Sequence, residues 1–190
     1  MDNTLEKINK EILNCQKCLL YKTRIHPVPG EGSSHARIMF IGEAPGNNED
    51  KEGRPFCGAS GKILDQLLES AGIKREEIFI ANILKCRPPE NRNPLKEEID
   101  VCSFFLDKQI ETINPKVLCT LGNFSTSYVL EKYGLKDQVQ GISKIHGNIF
   151  EIKTLLGIIK IVPLYHPAVA TYNMNMMETL KNDFQILKKL

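Results

Sequence analysis

The chain has no uninterrupted apolar run of the roughly 18 residues that a membrane-spanning helix needs. Its longest apolar stretch, LLGIIKIVPLY (155–165), is cut by Lys160 and ended by Pro163. The N-terminal segment MDNTLEKINKEIL is charged and amphipathic and has no signal-peptide core. Both absences point to a cytoplasmic protein with no membrane contact. Repeats, low-complexity tracts and long Gly/Ser linkers are also missing, so residues 1–190 are expected to form a single domain with a real core. Net charge is scarce too, at +2. That neither demands nor excludes nucleic acid, because a local basic stripe can hide in a balanced total. In a cytoplasmic chain the six cysteines are not a disulfide framework, and a metal or iron–sulfur role is expected for some of them.

Four apolar, β-branched runs read as buried strands: RIMFIG (37–42), EIFIANIL (77–84), VLCTLG (117–122) and IIKIVPLY (158–165). Helical patterns separate them. Ile63, Leu64, Leu67, Leu68 and Ala71 form one apolar face, ending at Gly72. Leu95, Ile99, Cys102, Leu106, Ile110 and Ile113 form another, with Asn93 as cap and Pro94 in the first turn. A shorter helix is expected over about 124–132, and a last one from Asn175, with Glu178 in capping-box spacing and Leu180, Phe184 and Leu187 inward. The segment 148–162 reads as a hairpin feeding the last strand. Strands alternating with helices predict a parallel sheet covered on both sides. In such sheets the site lies beyond the carboxyl ends of the strands. The informative residues should therefore follow the strands: 42–46, 82–86, 122 onward and 165–168.

Cys15 and Cys18 form a C-x-x-C at the end of the first helix. Cys86 follows the second strand, and Cys102 lies on the inward face of the next helix. Four thiolates in this pattern suit tetrahedral zinc or a [4Fe–4S] cluster. Against that stand a redox or chance C-x-x-C and a Cys102 that merely packs. Cys119, mid-strand, reads as core. Cys57 sits in a Gly-rich loop with no histidine or lysine pattern to activate it.

Three residue types stand out at the strand ends. GRPFCGASGK (53–62) imitates a P-loop but has Phe56 where the first Gly belongs and Ile63 where Ser or Thr should bind magnesium. Its Phe56 can instead pack, or stack on a planar ligand. Asn82 is a polar amide in an apolar strand, which must be bonded to backbone or read a base edge. His166 has no second histidine nearby, so its strand-end position suggests handling of substrate charge rather than a metal.

In order along the chain, the C-x-x-C, GEAPG…ED (42–50), GRPFCG (53–58), ANILKCRPPENRNP (81–94), Cys102, KIHG (144–147) and YHPA (165–168) resemble the family 4, iron–sulfur uracil-DNA glycosylases. The resemblance implies a three-layer αβα fold around a central four-stranded parallel sheet. It also implies a [4Fe–4S] cluster on Cys15, Cys18, Cys86 and Cys102, structural rather than redox-active. Uracil would be held by backbone groups of Gly42, Glu43 and Ala44, stacked on Phe56 and bonded along its edge by Asn82. His166 would donate to O2, and Glu43 or Glu49 would handle water and offset charge on the sugar. The expected reaction flips uracil out of DNA and hydrolyses its N-glycosidic bond, leaving an abasic site for base excision repair.

The chain departs from the family at Asn47 and Asn48, where relatives carry acid, at Cys57, where Val is common, and at Thr171 and Tyr172, where Leu and Arg are common. Tyr172 is taken as the residue that enters DNA behind the flipped base. The alternatives are a relative that traps uracil-DNA covalently, whose histidine is missing from PPENRNP (88–94), and a non-catalytic iron–sulfur or zinc module. The expected partner is uracil-containing DNA, single- or double-stranded, bound by a monomer. No feature supports a sliding-clamp contact. Lys85, Arg87 and Arg92 are candidates for phosphate contacts or plain surface charges. Lys181, Lys188 and Lys189 read as a solvated helix face.

Overall fold

A computed structural model describes residues 2–154 and 157–190 of the chain. In order, the elements are α1 (Asp2–Leu13), β1 (Glu31–Gly32), β2 (Ile38–Gly42), α2 (Asn47–Glu52), α3 (Ala59–Ser70), β3 (Phe79–Asn82), α4 (Lys96–Ile113), β4 (Val117–Leu121), α5 (Asn123–Lys132), α6 (Ile142–Ile145), β5 (Phe150–Thr154), β6 (Gly157–Leu164), α7 (Val169–Tyr172) and α8 (Met176–Gln185). The sheet order is β1-β3-β2-β4-β6-β5. The four inner strands are parallel, and β1 and β5 add an antiparallel strand at each edge. β5 and β6 make the hairpin expected over 148–162, of which residues 155–156 lie outside the described residues.

The inner strands are apolar throughout because helices cover both faces. Side chains alternate across β2. Phe40 packs with Leu64, Leu67 and Leu68 of α3 and Leu180 and Phe184 of α8. Met39 and Ile41 pack on the opposite side with Leu106 and Ile110 of α4 and Val129 and Leu130 of α5. This is the three-layer αβα arrangement. A third apolar cluster joins α1 (Ile8, Ile12) to Leu84, Cys86, Cys102 and Phe105 beside β3. Because the inner strands are parallel, the loops after Gly42, Asn82, Leu121 and Leu164 all emerge at one rim.

Local boundaries differ from expectation in three places. β3 ends at Asn82, so the amide stands at the strand tip rather than inside it. α4 starts at Lys96, not at Asn93-Pro94, because Glu98 Oε2 accepts from Leu95 N at 2.9 Å and caps the helix there. Leu95 is consequently exposed rather than inward. α8 starts at Met176 with Asn175 already in helical backbone, so the expected Asn175–Glu178 capping box does not form.

Candidate active site and cysteine centre

The rim encloses a cavity of about 130 Å³ lined by Ala44, Gly46, Glu49, Phe56, Ser60, Asn82 and His166. A cavity of about 150 Å³ accommodates benzene, so this one is on the scale of a single six-membered ring. Five residues singled out from sequence meet here: Ala44 after β2, Glu49 on α2, Phe56 between α2 and α3, Asn82 at the end of β3 and His166 after β6; Glu43 does not line the cavity. Gly42 stands behind them. A Cβ on it would lie 2.2 Å from Asn82 Oδ1 and 3.0 Å from Phe56 Cε2, so the bare backbone is what lets both side chains close up. The carbonyls of Gly42 and Glu43 already accept from Ile83 N and Leu84 N, both at 3.0 Å.

Asn82 is 2% exposed, yet among the described residues its side chain makes no hydrogen bond. A buried amide left without partners is costly, and here it faces a cavity. Phe56 forms a wall with a positive φ of 48°. Its ring lies 5.5 Å from that of His166, tilted by 30°.

His166 Nδ1 accepts from Ala168 N at 3.2 Å. That bond fixes the proton on Nε2 when the ring is neutral. Burial lowers the His166 pKa to about 4, and the nearby Glu49 carboxylate offsets the shift only in part. The imidazole is therefore a neutral Nε2–H donor across the physiological range.

The two glutamates have separate environments. Glu49 Oε2 accepts from Gly46 N at 3.1 Å, and Oε1 accepts from Cys57 N at 3.1 Å and Gly58 N at 3.0 Å. It clamps the GEAPG turn to the GRPFCG loop and so frames the cup. Glu43 is half-buried and makes no side-chain hydrogen bond among the described residues. Burial raises its pKa above the ordinary carboxylate value. Asp50 is buried and accepts from Ile25 N at 3.0 Å, tying α2 to the segment after the C-x-x-C.

Cys15, Cys18, Cys86 and Cys102 line one small, almost wholly apolar pocket. Among the described residues, no three His, Cys, Asp or Glu side chains converge in a way that holds one metal ion. Arg24 Nη1 donates to Cys86 Sγ at 3.0 Å and Lys85 N to Cys102 Sγ at 3.2 Å. Burial raises the pKa of Cys18 and Cys86, and pushes Cys102 up to about 12, against the lowering pull of Arg24 and Lys85. Cys119 is fully buried in β4, as core. The Cys57 thiol is raised by burial and by Glu49, which leaves it inert.

The basic residues after β3 part ways: Lys85 turns inward, whereas Arg87 and Arg92 reach the surface. Lys85 is 1% exposed and bonds inside the protein, which overturns its reading as a surface contact. Arg92 grips Glu98 with two bonds, at 2.6 and 2.9 Å. Arg87 donates to Asn91 Oδ1 at 2.7 Å and Asn47 Oδ1 at 3.1 Å, joining the cysteine loop to α2. Asn47 thus serves as an acceptor. Tyr172 is 90% exposed at the end of α7, beyond His166. Lys181, Lys188 and Lys189 are exposed. Ser60 was not picked out from sequence. Its position in the first turn of α3, four residues after Phe56, is the signal that would have found it.

Among the described residues no helix is long and apolar enough to cross a membrane. Residues 29–188 match the family model of the uracil DNA glycosylase superfamily. The C-x-x-C lies outside that span. A type-4 uracil-DNA glycosylase of Sulfurisphaera tokodaii is 48% identical over 189 residues, covering 99% of this chain and 85% of the relative. One of Archaeoglobus fulgidus is 40% identical over 187 residues, covering 98% and 93%. One of Thermotoga maritima is 41% identical over 172 residues, covering 90% and 85%.

Proposed function

The chain belongs to the type-4 uracil-DNA glycosylases of the uracil-DNA glycosylase superfamily, and from that premise we propose how its rim cavity releases uracil from DNA. The single observation that carries the reading is the pairing, in one ring-sized cavity, of the unpartnered Asn82 amide with a neutral His166 donor.

A uracil inside duplex DNA must be extruded at a cost of a few kcal/mol. The everted base enters the cup and stacks on Phe56. Asn82 offers both a donor and an acceptor, which suits the adjacent N3–H and O4 of uracil. Cytosine presents the reverse pattern there, which the amide orientation that suits uracil does not match. As the glycosidic bond breaks, electrons move into the base and charge gathers on O2. His166 Nε2–H meets that charge. Being neutral beforehand, it holds no strong ion pair with the ground state, so its bond strengthens mainly in the transition state. A thymine methyl has to fit against the closely packed Phe56 wall.

The sugar is left with positive character, which a carboxylate offsets. We assign that task, and the positioning of water, to Glu43. Glu49 has both oxygens engaged by three backbone N–H groups, whereas Glu43 is free to act. To Tyr172, exposed beyond His166, we assign the filling of the gap left in the helix. Each cup is complete within one chain, which fits a monomer acting on DNA in the cytoplasm.

Four cysteines around one pocket are the donor set of a thiolate-held [4Fe–4S] cluster. Arg24, Lys85 and the Lys85 N–H supply the cations and N–H···S bonds that thiolate-held clusters use. The cluster, when bound, supplies no step of the reaction; it joins α1, α4 and the β3 loop. Purified protein is expected to be brown, with roughly four irons and four sulfides per chain. Stoichiometric zinc in their place would refute the assignment.

The deciding experiment is uracil release from a duplex with one U·G pair, against thymine and cytosine controls. Release of free uracil with alkali-sensitive abasic sites is expected. An intact strand, or a DNA–protein adduct that survives denaturing electrophoresis, would overturn the reading.

pH dependence separates the two ionisable groups. His166 stays neutral down to about pH 4, so it produces no loss of activity above that. Glu43 must be ionised to act and its pKa is raised by burial. The acid limb of kcat should therefore be that of Glu43 and should vanish in Glu43→Gln, which is slower at neutral pH. A raised carboxylate pKa means the folded state holds the proton more tightly than the unfolded one. Its stabilising contribution is present at low pH and lost as pH rises through the folded value. Glu43→Gln should thus melt at a higher temperature than the parent at neutral pH.

A further inference from the structure

We propose that Lys85 is a positioning residue: its ammonium, buried between the cysteine centre and the cup, holds the tip of β3 so that Asn82 faces the base. This rests on the reading of Asn82 given above.

Lys85 Nζ donates to the backbone carbonyl of Asn82 at 2.8 Å and to Gln109 Oε1 at 2.7 Å. Gln109, itself fully buried on α4, donates onward from Nε2 to Pro29 O at 2.8 Å. The main chain of Lys85 is equally committed. Its N–H donates to Cys102 Sγ at 3.2 Å, and its carbonyl accepts from Val28 N at 2.7 Å. One residue therefore bonds directly to a cysteine of the centre and to the residue that reads the base.

Among the described residues the Asn82 side chain has no hydrogen bond of its own to hold it in place. Its direction is inherited from the backbone at the end of β3, beyond the last ladder pair, Gly42 with Asn82. Two bonds fix that backbone: Ile83 N to Gly42 O, and Lys85 Nζ to Asn82 O. Both act on the Asn82–Ile83 peptide, the first at its N–H and the second at its carbonyl. Displacement of a reacting group by about 1 Å can cost 10²-fold in rate.

Energetics argue that the ammonium has a purpose here. Burying a charge is costly, and a packed apolar side chain of similar volume is often neutral or stabilising. Among the described residues Lys85 forms no salt bridge; Nζ bonds a carbonyl and an amide, and Cys102, whose thiolate would share the charge in a bound cluster, takes the backbone N–H rather than the ammonium. Simple packing would be met by methionine. A directional donor aimed at the Asn82 carbonyl would not.

The test is a double-mutant cycle of Lys85→Met and Asn82→Ala, with iron content and melting temperature measured on every protein. Lys85→Met is expected to keep its iron and lower kcat about tenfold, with KM within about twofold. In the Asn82→Ala background the same substitution should change kcat by less than about twofold, because the group it positions is gone. Multiplying effects in the double variant would overturn the proposal, as would parental turnover in an iron-loaded Lys85→Met protein. So would loss of iron with unchanged turnover per iron, which marks a merely structural lysine. If Lys85→Met does not fold, Gln109→Leu takes its place in the cycle, since it frees the ammonium while leaving the charge; a roughly threefold loss that disappears in Asn82→Ala is expected, and no loss overturns the idea. Parental activity in Asn82→Ala alone is a distinct outcome. It would refute the reading of the cup itself.

Discussion

Replacing His166 with alanine is expected to slow uracil release about 10²- to 10³-fold, the usual effect of removing one preorganised donor from a developing anion. The physical basis is the fixed tautomer. Ala168 N–H occupies Nδ1, so Nε2 carries the proton and points it elsewhere. Burial keeps the ring uncharged. A donor already charged in the ground state would bind substrate and product tightly as well, and would gain less at the transition state. Asn82→Ala should cost a similar factor, since the base edge would then enter a dry cavity with its polar groups unpaired. The loss should fall on kcat for His166 and on both kcat and KM for Asn82. Iron content and melting temperature serve as controls, and both should stay near parental values. Two well-folded variants that release uracil within about twofold of the parent would refute the assignment of the cup.

Gly61→Ala should be the most damaging change that removes no reactive group. A Cβ at this position would lie 1.9 Å from the carbonyl oxygen of Phe56 and 2.3 Å from its carbonyl carbon. Those are backbone atoms, so no side chain can swing aside. Either α3 slides or the loop over 53–58 moves. That loop carries Phe56 in a left-handed conformation uncommon for a bulky residue, together with the Cys57 and Gly58 N–H groups that hold Glu49. One methyl would therefore shift the stacking wall and loosen the clamp at once. We expect about a 10²-fold or greater fall in kcat/KM and a stability loss of about 1–3 kcal/mol from overpacking. Lys62→Ala, exposed on the next position of the same helix, should change neither. Parental turnover in Gly61→Ala would mean that the loop can move without consequence, and that the wall is not built as described.

Phe56, Asn82 and His166 could be picked out because each breaks a local rule. An amide at the end of an apolar strand, an aromatic among glycines and a histidine after a strand all contradict their surroundings. The four inner strands were legible because strands covered on both faces must be apolar along their length. The two edge strands were less so. β1 is only two residues long, Glu31 and Gly32, and carries no apolar pattern. The start of α4 was misplaced because Asn93 and Pro94 are good helix openers. Glu98, three residues beyond Leu95 and anchored by Arg92, decided the matter instead.

The sequence by itself determined the alternation of strands and helices and the strand tips where chemistry would gather, while the resemblance supplied the ligand role of Cys15, Cys18, Cys86 and Cys102. The alternation and the tips depend on periodicity and spacing, which are local. Only the tertiary structure decided that Lys85 turns inward while its neighbour Arg87 does not, that Glu49 frames while Glu43 stays free, and that Ser60 joins the cup. Each of those outcomes depends on what a side chain meets from another element, 24 residues away for Lys85 and Gln109 and 9 for Glu49 and Gly58. Charge and hydrogen-bonding partners are settled by that meeting, because a polar group goes where its bonds can be completed rather than where its own pattern would send it.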